Sequence, residues 1–594
     1  MNNEKEIIKQ SSGKVVSVFF LVIFAILLVF IRFIYLSVTD RDNMPNIYTG
    51  DREKAKRGSI ITSDKYTIVY TKKLYKASVN TLNIPENKEE LFAKMFSLYS
   101  GETKEKVLEN IRKKRGSADI SYRIDSKNAQ RLKELGKELV HSGVFKAYID
   151  SNGKEIMHGL SIQESGAARE YPYKDTLTPV IGYFKKYEES YYTRVKGVKG
   201  IEKYYEDLLK AQKDGKRRGL RDVFGNMIQN GDMKEIDGIN GLNIHLNINL
   251  SLQKKIEELL SRKQRELGAK EILVSVMSSE NGKILSLASS NRFNPKNLKN
   301  VDYAYLNANA VEYTFEPGSV LKPVVFALLL DKGKIKSTQL VNCENGKHKI
   351  GGRTITDEHR LGWVEAKEII IHSSNIGIAK LAQKLDAIDY YQGLKEFGFG
   401  EKTQLELPYE KSGRIPELTK FSKSVFKASA SYGYGISTNF IQLLSSYNVF
   451  NNNGVLIKPK LISHFTKDGD EKVFVDRNRV IPKNVLSKKT SSIVKRILVE
   501  TVNKGTGKKA RVKGIEVGGK TGTAHIARRG HYVDEYNSSF FGFANGSKNK
   551  YTIGVTVVQP TKGRYVHFAS KSAVPIFKSI VDILIDDNFL KRKR

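Results

Sequence analysis

Three short polar motifs stand in a fixed order along this chain, and any fold that lets them act together must bring three distant segments to one place. They are Ser319-Val320-Leu321-Lys322, Ser373-Ser374-Asn375 and Lys520-Thr521-Gly522-Thr523. Similar short patterns recur elsewhere, for example at Ser424 and at Lys411-Ser412-Gly413, so a single match predicts little. The order, the spacing and the flanking residues of this trio carry the interpretation.

The first motif predicts a nucleophile beside a base. Glu316-Pro317-Gly318 precedes Ser319, and an apolar run from Val324 to Leu330 follows, which predicts a buried helix beginning near Ser319. Lys322 then lies one turn away on the same face. A serine hydroxyl needs a neighbouring base, and lysine serves only if burial or a nearby cation such as Lys520 lowers its pKa. The alternative, a helix-capping serine with an exposed lysine, does not explain a lysine that faces into an apolar helix.

The second motif lies between two apolar segments, 369–371 and 376–379. Small polar residues in that setting predict a loop that enters a cleft. Its hydroxyl could relay protons and its amide could hold a substrate carbonyl. Taken alone, Ser373-Ser374-Asn375 is more typical of an ordinary helix cap.

The third motif is predicted to lie on a strand. Segments 540–543 and 551–558 follow it and are typical of antiparallel strands. A lysine and two threonines at a strand edge would bind a carboxylate. Successive side chains of a strand point to opposite faces, which separates Lys520 from Thr521. One ligand can therefore contact both residues only if it runs along the strand edge.

Length and composition exclude some classes of protein. The chain has 594 residues, of which 40% are hydrophobic, enough for two or three domains with a sizeable core. The single cysteine, Cys343, excludes an internal disulfide and a thiolate metal cluster. Cys343 with His359 lacks a third ligand, so we interpret the two as loop and core residues and predict neither a metal nor a cofactor.

The apolar run from Val15 to Val38 is long enough to span a bilayer. Arg32 near its end can extend to the headgroups, and no small-residue cleavage site follows, which predicts an uncleaved anchor. The formal net charge of +36 could suggest a nucleic-acid partner. Lysines are spread through nearly every segment without a recognition motif, so we interpret them as solvated faces, with attraction to an anionic membrane surface as a secondary role.

Local patterns along the rest of the chain predict a mixed α/β (α+β) protein. Helices are expected at 88–97, 102–113, 126–139 and 251–268, strands at 119–124, 145–149 and 241–250, and a hairpin at 272–289.

With these residues in view, the chain resembles the class B penicillin-binding proteins, in particular the FtsI-type division peptidoglycan D,D-transpeptidases. The family pattern is interrupted where Ala544-Asn545 replaces a proline, where Asn247 replaces an aspartate, and near Ser63-Asp64-Lys65. These departures touch the first domain and strand ends, not the reacting groups. The matching motifs in the first domain are Arg57-Gly58-Ser59-Ile60, Arg169-Glu170-Tyr171-Pro172, Ile181-Gly182-Tyr183 and Gly200-Ile201-Glu202; those in the second include 313–322, Asp357-Glu358-His359, 397–400, 433–438, 520–524 and 539–543.

The resemblance implies a domain arrangement. Residues 1–14 would be a cytoplasmic tail and 15–38 a single transmembrane helix. Residues 45–240 would form an elongated mixed pedestal domain of the dimerisation type. Residues 245–590 would form a penicillin-binding, serine β-lactamase-like transpeptidase domain, with a central antiparallel sheet flanked by helices. The bulk of the chain would lie outside the cytoplasmic (inner) membrane, in the periplasm.

The resemblance also implies an activity. Such enzymes crosslink peptidoglycan stem peptides: a serine attacks the D-Ala-D-Ala bond, and an amine of a neighbouring strand takes the acyl group. β-Lactams would acylate the same serine, and a SEDS-type glycan polymerase with other division proteins would be partners. The residues so implied are Ser319, Lys322, Ser373, Asn375 and Lys520 as catalytic groups, Thr521, Gly522 and Thr523 as substrate-binding groups, and the backbone amides of Ser319 and Thr523 as the oxyanion hole.

Two other functions share these motifs. A class A β-lactamase needs a deacylating glutamate in an E-x-x-L-N setting, and none occurs between Asn375 and Lys520. A membrane-tethered scaffold or drug sensor with a vestigial site is the other alternative, against which the intact Ser319 and Lys322 argue. The sequence leaves open the division or elongation subtype, the acceptor stem peptide, the identity of the partners, regulation and the oligomeric state.

Overall fold

The computed structural model of this chain describes residues 2–39, 48–51, 53–149, 153, 155–157, 159–189, 192–220, 233–475 and 482–593. Its helices are α1 Asn2–Thr39, α2 Glu89–Ser100, α3 Lys104–Arg112, α4 Ser126–His141, α5 Thr178–Ile181, α6 Gly200–Tyr204, α7 Glu206–Leu209, α8 Leu250–Leu267, α9 Asn309–Glu312, α10 Lys322–Asp331, α11 Ala366–Ile371, α12 Asn375–Ala382, α13 Ala387–Glu396, α14 Leu418–Phe421, α15 Ser424–Ser431, α16 Phe440–Asn451, α17 Lys488–Asn503 and α18 Ala573–Asp586.

The strands are β1 Tyr48–Asp51, β2 Ile60–Ile61, β3 Thr67–Asn80, β4 Ser117–Asp125, β5 Tyr148–Ile149, β6 Glu155–Ile156, β7 Ser161–Glu170, β8 Phe184–Glu189, β9 Tyr192–Gly197, β10 Lys216–Leu220, β11 Lys234–Ile236, β12 Asn243–Leu246, β13 Glu271–Ser278, β14 Ile284–Ser289, β15 Thr314–Phe315, β16 Leu340–Asn342, β17 Lys347–Ile350, β18 Arg353–Thr356, β19 Trp363–Glu365, β20 Thr438–Asn439, β21 Val455–Leu456, β22 Ile462–Thr466, β23 Lys472–Val473, β24 Lys483–Asn484, β25 Glu516–Arg528, β26 His531–Asn545 and β27 Lys550–Val558.

The chain divides into two units, an anchor unit of Met1–Ala55 with Gln212–Ile239 and a main unit of Lys56–Ala211 with Asn240–Arg594. The anchor unit contains α1 and an antiparallel sheet in the order β1-β10-β11. Within α1, Val15–Val38 is long and apolar enough to cross a membrane. The predicted start of the pedestal domain, near residue 45, lies outside the described residues.

The first sheet of the main unit is mixed. Its strands run in the order β23-β22-β12-β2-β3-β7-β9-β8, with β4 also paired to β3. Parallel pairs join β12 to β2 and β7 to β9, and the neighbouring pairs are antiparallel. Helices α2, α3 and α4 bury Phe92, Val107 and Leu132, respectively, in a core shared with strands β3 and β4.

A buried ionic cluster holds three of the family-like motifs of this region together. Glu202 is fully buried, and its two carboxylate oxygens accept hydrogen bonds from Arg57 Nε at 2.8 Å and Arg169 Nε at 2.8 Å. Arg57 also pairs with Glu206 at 2.8 Å, and Arg169 Nη1 donates to Thr71 Oγ1 at 2.9 Å. The cluster therefore ties α6 to strands β3 and β7.

The second sheet of the main unit is antiparallel, in the order β14-β13-β27-β26-β25. Helices α8 and α18 pack against it through apolar side chains such as Leu260, Phe577 and Ile580. Helices α10 and α16 are buried on nearly all sides within the larger core. The apolar run of α10 thus anchors the turn that carries the first motif, and β25 lies at the edge of the sheet.

The fold class expected from the sequence, a mixed pedestal sheet and a helix-flanked antiparallel sheet, is confirmed. The structure adds strands β3 and β7, which the sequence analysis did not predict. Domain boundaries near 240–245 stay a prediction.

Candidate active site

Ser319 lies in a short 3-10 turn, Gly318–Leu321, that leads directly into α10. In a 3-10 turn residues i and i+3 eclipse each other, which stacks Lys322 over Ser319 more directly than an α-helical turn would. Gly318 has a φ of +60°, and a Cβ there would lie 3.0 Å from the Ala524 side chain. Tyr447 donates a hydrogen bond to the Val320 carbonyl at 2.7 Å, which fixes the other side of the turn.

The Lys322 amine is completely buried and surrounded by acceptors. Nζ donates to the Ser373 carbonyl oxygen at 2.6 Å, to Ser373 Oγ at 3.2 Å and to Asn375 Oδ1 at 2.7 Å. No hydrogen bond joins it to Ser319 Oγ in the part of the chain that the structure describes. Transfer of a proton from Ser319 therefore requires the amine to exchange one of these contacts.

Burial lowers the pKa of Lys322 to about 7, although the nearby carboxylates of Asp357 and Glu358 oppose the shift. The sequence analysis expected the charge of Lys520 to contribute, but burial is the main cause. Burial also holds the pKa of Lys520 well below its ordinary value, and the charge of Lys322 adds to that lowering. Both buried lysines are thus disposed to lose a proton more readily than a lysine in water.

The loop with the second motif contains a strained residue. Ser373 has a φ of +64°, in the left-handed region that costs a residue with a Cβ about 1–2 kcal/mol. In this conformation its carbonyl oxygen accepts the hydrogen bond from Lys322. Strained residues of this kind cluster at functional sites, where the surrounding structure holds them in place.

Ser374 and Asp357 fix the start of α12. Ser374 Oγ accepts a hydrogen bond from Gly377 N at 2.9 Å and donates to Asp357 Oδ2. The other oxygen of Asp357 accepts from the backbone amides of Asn375 and Ile376. Ser374 therefore caps a helix, and its two neighbours contact the buried amine. The relay and substrate-holding roles of Ser373 and Asn375 stay predictions.

The third motif lies on the edge strand β25. Thr521 and Thr523 share one face, and the gap left by Gly522 is filled by Val320, whose Cγ1 would lie 2.8 Å from an added Cβ. Lys520 is fully buried, and its Nζ donates to the Thr521 carbonyl at 3.1 Å and to Thr521 Oγ1 at 3.2 Å. Although successive side chains of a strand point to opposite faces, the lysine side chain is long enough for its amine to contact Thr521.

A cleft of about 550 Å³ brings the motifs together. Ser319, Ser373, Thr521 and Thr523 line it, while Lys322 and Lys520 are buried behind them. The remaining lining residues are Glu358, His359, Thr506, Phe568, Ala569 and Ser570.

Several of these positions carried no sequence signal for a role. Thr506 follows α17 in a loop, yet its hydroxyl lies 2.7 Å from Thr521 Oγ1. Ala569 N donates to Thr523 Oγ1 at 3.4 Å. Asp357 belonged to a family-like motif, but only the structure reveals its contacts with α12. Among the described residues no group of three or more His, Cys, Asp or Glu could hold a metal ion, and Cys343 is buried near Ser374.

Family models match two long segments of the chain. The penicillin binding protein transpeptidase domain matches residues 272–582, and the penicillin-binding protein dimerisation domain matches residues 52–246.

Individual proteins are similar over most of their length. The probable peptidoglycan D,D-transpeptidase PenA of Neisseria meningitidis serogroup A is 28% identical over 462 residues, covering 76% of this chain and 74% of that protein. The peptidoglycan D,D-transpeptidase FtsI of Escherichia coli K12 is 26% identical over 428 residues, covering 71% and 68%. The crystal structure of penicillin binding protein 3 from Mycobacterium tuberculosis, complexed with aztreonam, superimposes with a TM-score of 0.65 at 20% identity, covering 92% of this chain and 98% of that one.

Proposed function

This chain belongs to the penicillin-binding protein transpeptidase family, and from that premise we propose that it is a peptidoglycan D,D-transpeptidase that crosslinks stem peptides through an acyl-enzyme on Ser319. The observation that carries the proposal is the fully buried Lys322 amine, held between the Ser319 turn and the second motif. A base with a pKa of about 7 is well matched to proton transfer near neutral pH.

In the acylation step, neutral Lys322 takes the Ser319 proton while Oγ attacks the carbonyl carbon of the penultimate D-alanine. The proton then passes through the Ser373 hydroxyl, 3.2 Å from Nζ, to the nitrogen of the departing D-alanine as the C–N bond breaks. Asn375 accepts from the same amine at 2.7 Å and keeps it oriented.

The edge strand supplies substrate binding in this proposal. A peptide running along β25 would place its terminal carboxylate at Thr521 and Thr523, with the Lys520 amine donating to Thr521 behind them. The backbone amides of Ser319 and Thr523 would donate to the oxyanion. Gly522 lets the strand approach the Ser319 turn, because any side chain there would collide with Val320.

The finer parts of the proposal concern the cellular setting. Val15–Val38 would anchor the chain in the cytoplasmic membrane with residues beyond about 40 outside, and the reaction would serve septal wall synthesis. β-Lactams would inhibit it as mimics of D-Ala-D-Ala. A SEDS-type glycan polymerase and other division proteins would bind through the anchor and pedestal. The support is the resemblance in the motifs together with the apolar helix.

The test is labelling of the purified full-length protein with a fluorescent penicillin, followed by mass spectrometry. We expect a stable adduct on Ser319, which a β-lactamase would release and a scaffold would not form. Ser319→Ala should abolish labelling and leave thermal unfolding nearly unchanged. Ser424→Ala is the matched control, because Ser424 begins another S-x-x-K match but is exposed outside the cleft. Labelling that persists in Ser319→Ala would refute the assignment.

A further inference from the structure

The cleft is lined by two sets of residues, the β25 side and the side of the second motif, together with Ser319. On one side, Thr521 and Thr523 of β25 face the cleft, and the Ser319 turn packs against this strand where Val320 meets Gly522. On the other side lie Glu358, His359 and Ser373. Lys322 joins the Ser319 turn to this second side through its hydrogen bonds to Ser373. Because the proposed donor peptide occupies the β25 side, a second substrate has the other side open to it.

The second side carries a carboxylate that the mechanism above does not use. Both carboxylate oxygens of Asp357 already accept hydrogen bonds, one from Ser374 and the other from backbone amides at the start of α12. Glu358, the next residue, is exposed and makes no hydrogen bond or ion pair in the described part of the chain. Among the described residues that line the cleft, it alone contributes a carboxylate. Its charge also reaches both buried lysines, since it opposes the lowering of the pKa of Lys322 and of Lys520.

We propose that Glu358 is a specificity-determining residue that draws the protonated amine of the acceptor stem peptide to the acyl-enzyme along the side of the cleft that contains Glu358, His359 and Ser373. This inference rests on the proposed function, since it concerns the second step of the same reaction. An exposed carboxylate attracts a cation through solvent and raises its local concentration. It gives no comparable attraction to water, so it favours transfer to an amine over hydrolysis.

The step balances as follows. The acceptor ammonium loses one proton to solvent, and the resulting neutral amine attacks the carbonyl carbon of the Ser319 ester. As the new C–N bond forms, the nitrogen gives its second proton to Lys322, which passes it to Ser319 Oγ as the ester C–O bond breaks. Because Glu358 also stabilises the unreactive ammonium, its benefit belongs in the KM for the acceptor and not in kcat.

The experiment measures how the acyl-enzyme of the full-length protein partitions between water and added nucleophiles. A thioester analogue of a D-alanyl donor peptide supplies the acyl group. Ethylenediamine is the cationic acceptor, and hydroxylamine, mostly uncharged at neutral pH, is the matched uncharged one. We expect Glu358→Gln to raise the KM for ethylenediamine about two- to fivefold, the range for one exposed charge pair, with kcat and the KM for hydroxylamine unchanged.

Two further variants sharpen the result. Glu358→Asp should retain most of the preference, and Glu401→Gln, which removes an exposed glutamate that does not line the cleft, should change nothing. Added salt should raise the KM for ethylenediamine in the original protein but not in Glu358→Gln. Equal changes in KM for both nucleophiles would mean that Glu358 acts through Lys322, and no change would mean that Glu358 has no role. Either result overturns the inference. The proposed function would still stand, provided that penicillin labelling is normal. Failure of the original protein to acylate at all would overturn both.

Discussion

Lys322 illustrates how burial changes the chemistry of one side chain. A neutral amine has two N–H donors and one lone pair, so the three contacts to Ser373 and Asn375 suit the protonated form, and the Ser373 hydroxyl must reverse its bond when the proton leaves. With a pKa of about 7 in the folded protein, both forms are populated near neutral pH. The unfolded chain binds more protons between about pH 7 and 10.4, so the contribution of Lys322 to stability rises with pH across that window.

The same pKa predicts the pH dependence of acylation. The neutral amine is the working base, so the rate of penicillin acylation should rise with pH and level off above about 7. Lys322→Arg keeps the charge but does not deprotonate, and we expect it to acylate about a hundredfold or more slowly without the rise. Stopped-flow acylation from acid to alkaline pH measures both effects. Near-normal acylation by the arginine variant would mean that Lys322 serves only as an electrostatic group.

At the residue scale, the sequence analysis could identify functional residues that lie close to one another along the chain. Ser319 and Lys322 share a turn, so their proximity follows from chain geometry. The partnership of Asp357 with Ser374, and of Thr506 with Thr521, joins separate elements through side chains alone. No periodicity encodes such contacts. The sequence analysis offered burial or the charge of Lys520 as the cause of a lowered Lys322 pKa, and only the packed core identifies burial as the main cause.

At the scale of elements, the cluster of Arg57, Arg169 and Glu202 shows how three motifs remote in sequence support one structural purpose. Burial alone would raise the pKa of Glu202, but the two arginines hold it below its ordinary value. The carboxylate in turn offsets two guanidinium groups that are almost completely buried. Such a cluster contributes little beyond well-packed apolar residues while intact, yet removing one partner leaves an uncompensated buried charge.

We therefore expect Glu202→Gln to lower the free energy of unfolding by about 3–5 kcal/mol. Glu109→Gln is the matched control, because Glu109 pairs with Lys113 on the exposed face of α3 and its loss should change stability very little. Urea unfolding followed by circular dichroism compares the two, and penicillin labelling at low temperature checks that the site still forms. Equal stability of the two variants would refute a supporting role for the cluster.

Elements with one clear apolar face were predictable, and those without it were not. The amphipathic α4 and α8 lie close to their expected ranges. Strands β3 and β7 were missed because their sequences, rich in lysine, glutamate and small residues, do not alternate between apolar and polar. Each is covered by paired strands on both edges instead, with β3 between β4 and β7. Strands that are held mainly by backbone pairing have little characteristic amino-acid composition, so the sequence predicts them poorly.

At the scale of the whole molecule, pairings between remote segments decide how the domains share structure. Ile244 of β12 pairs in parallel with Ile60 and in antiparallel register with Phe465, so segments from both predicted domains meet in one sheet. Strands β2, β12 and β22 are short, and no local sequence pattern indicates which strand each one pairs with. The family resemblance supplied the domain order, but the contribution of β22 and β23 to the first sheet came from the structure.

The apolar helix segment Val15–Val38 provides the last prediction, because spanning a membrane and recognising a partner make different demands on a helix. Crossing a bilayer requires only about 20 apolar residues, whereas binding another membrane protein depends on which side chains lie on the contact face. Replacing Val15–Val38 with an unrelated spanning helix should therefore preserve penicillin acylation of Ser319 but, if the proposed partnership holds, weaken co-purification with a SEDS-type polymerase and impair septal growth. Ser319→Ala with the original helix is the control, and it should retain the polymerase while losing crosslinking. If the replaced protein supports division and retains the polymerase as well as the original does, the helix is only an anchor and the partner surface lies elsewhere in the chain.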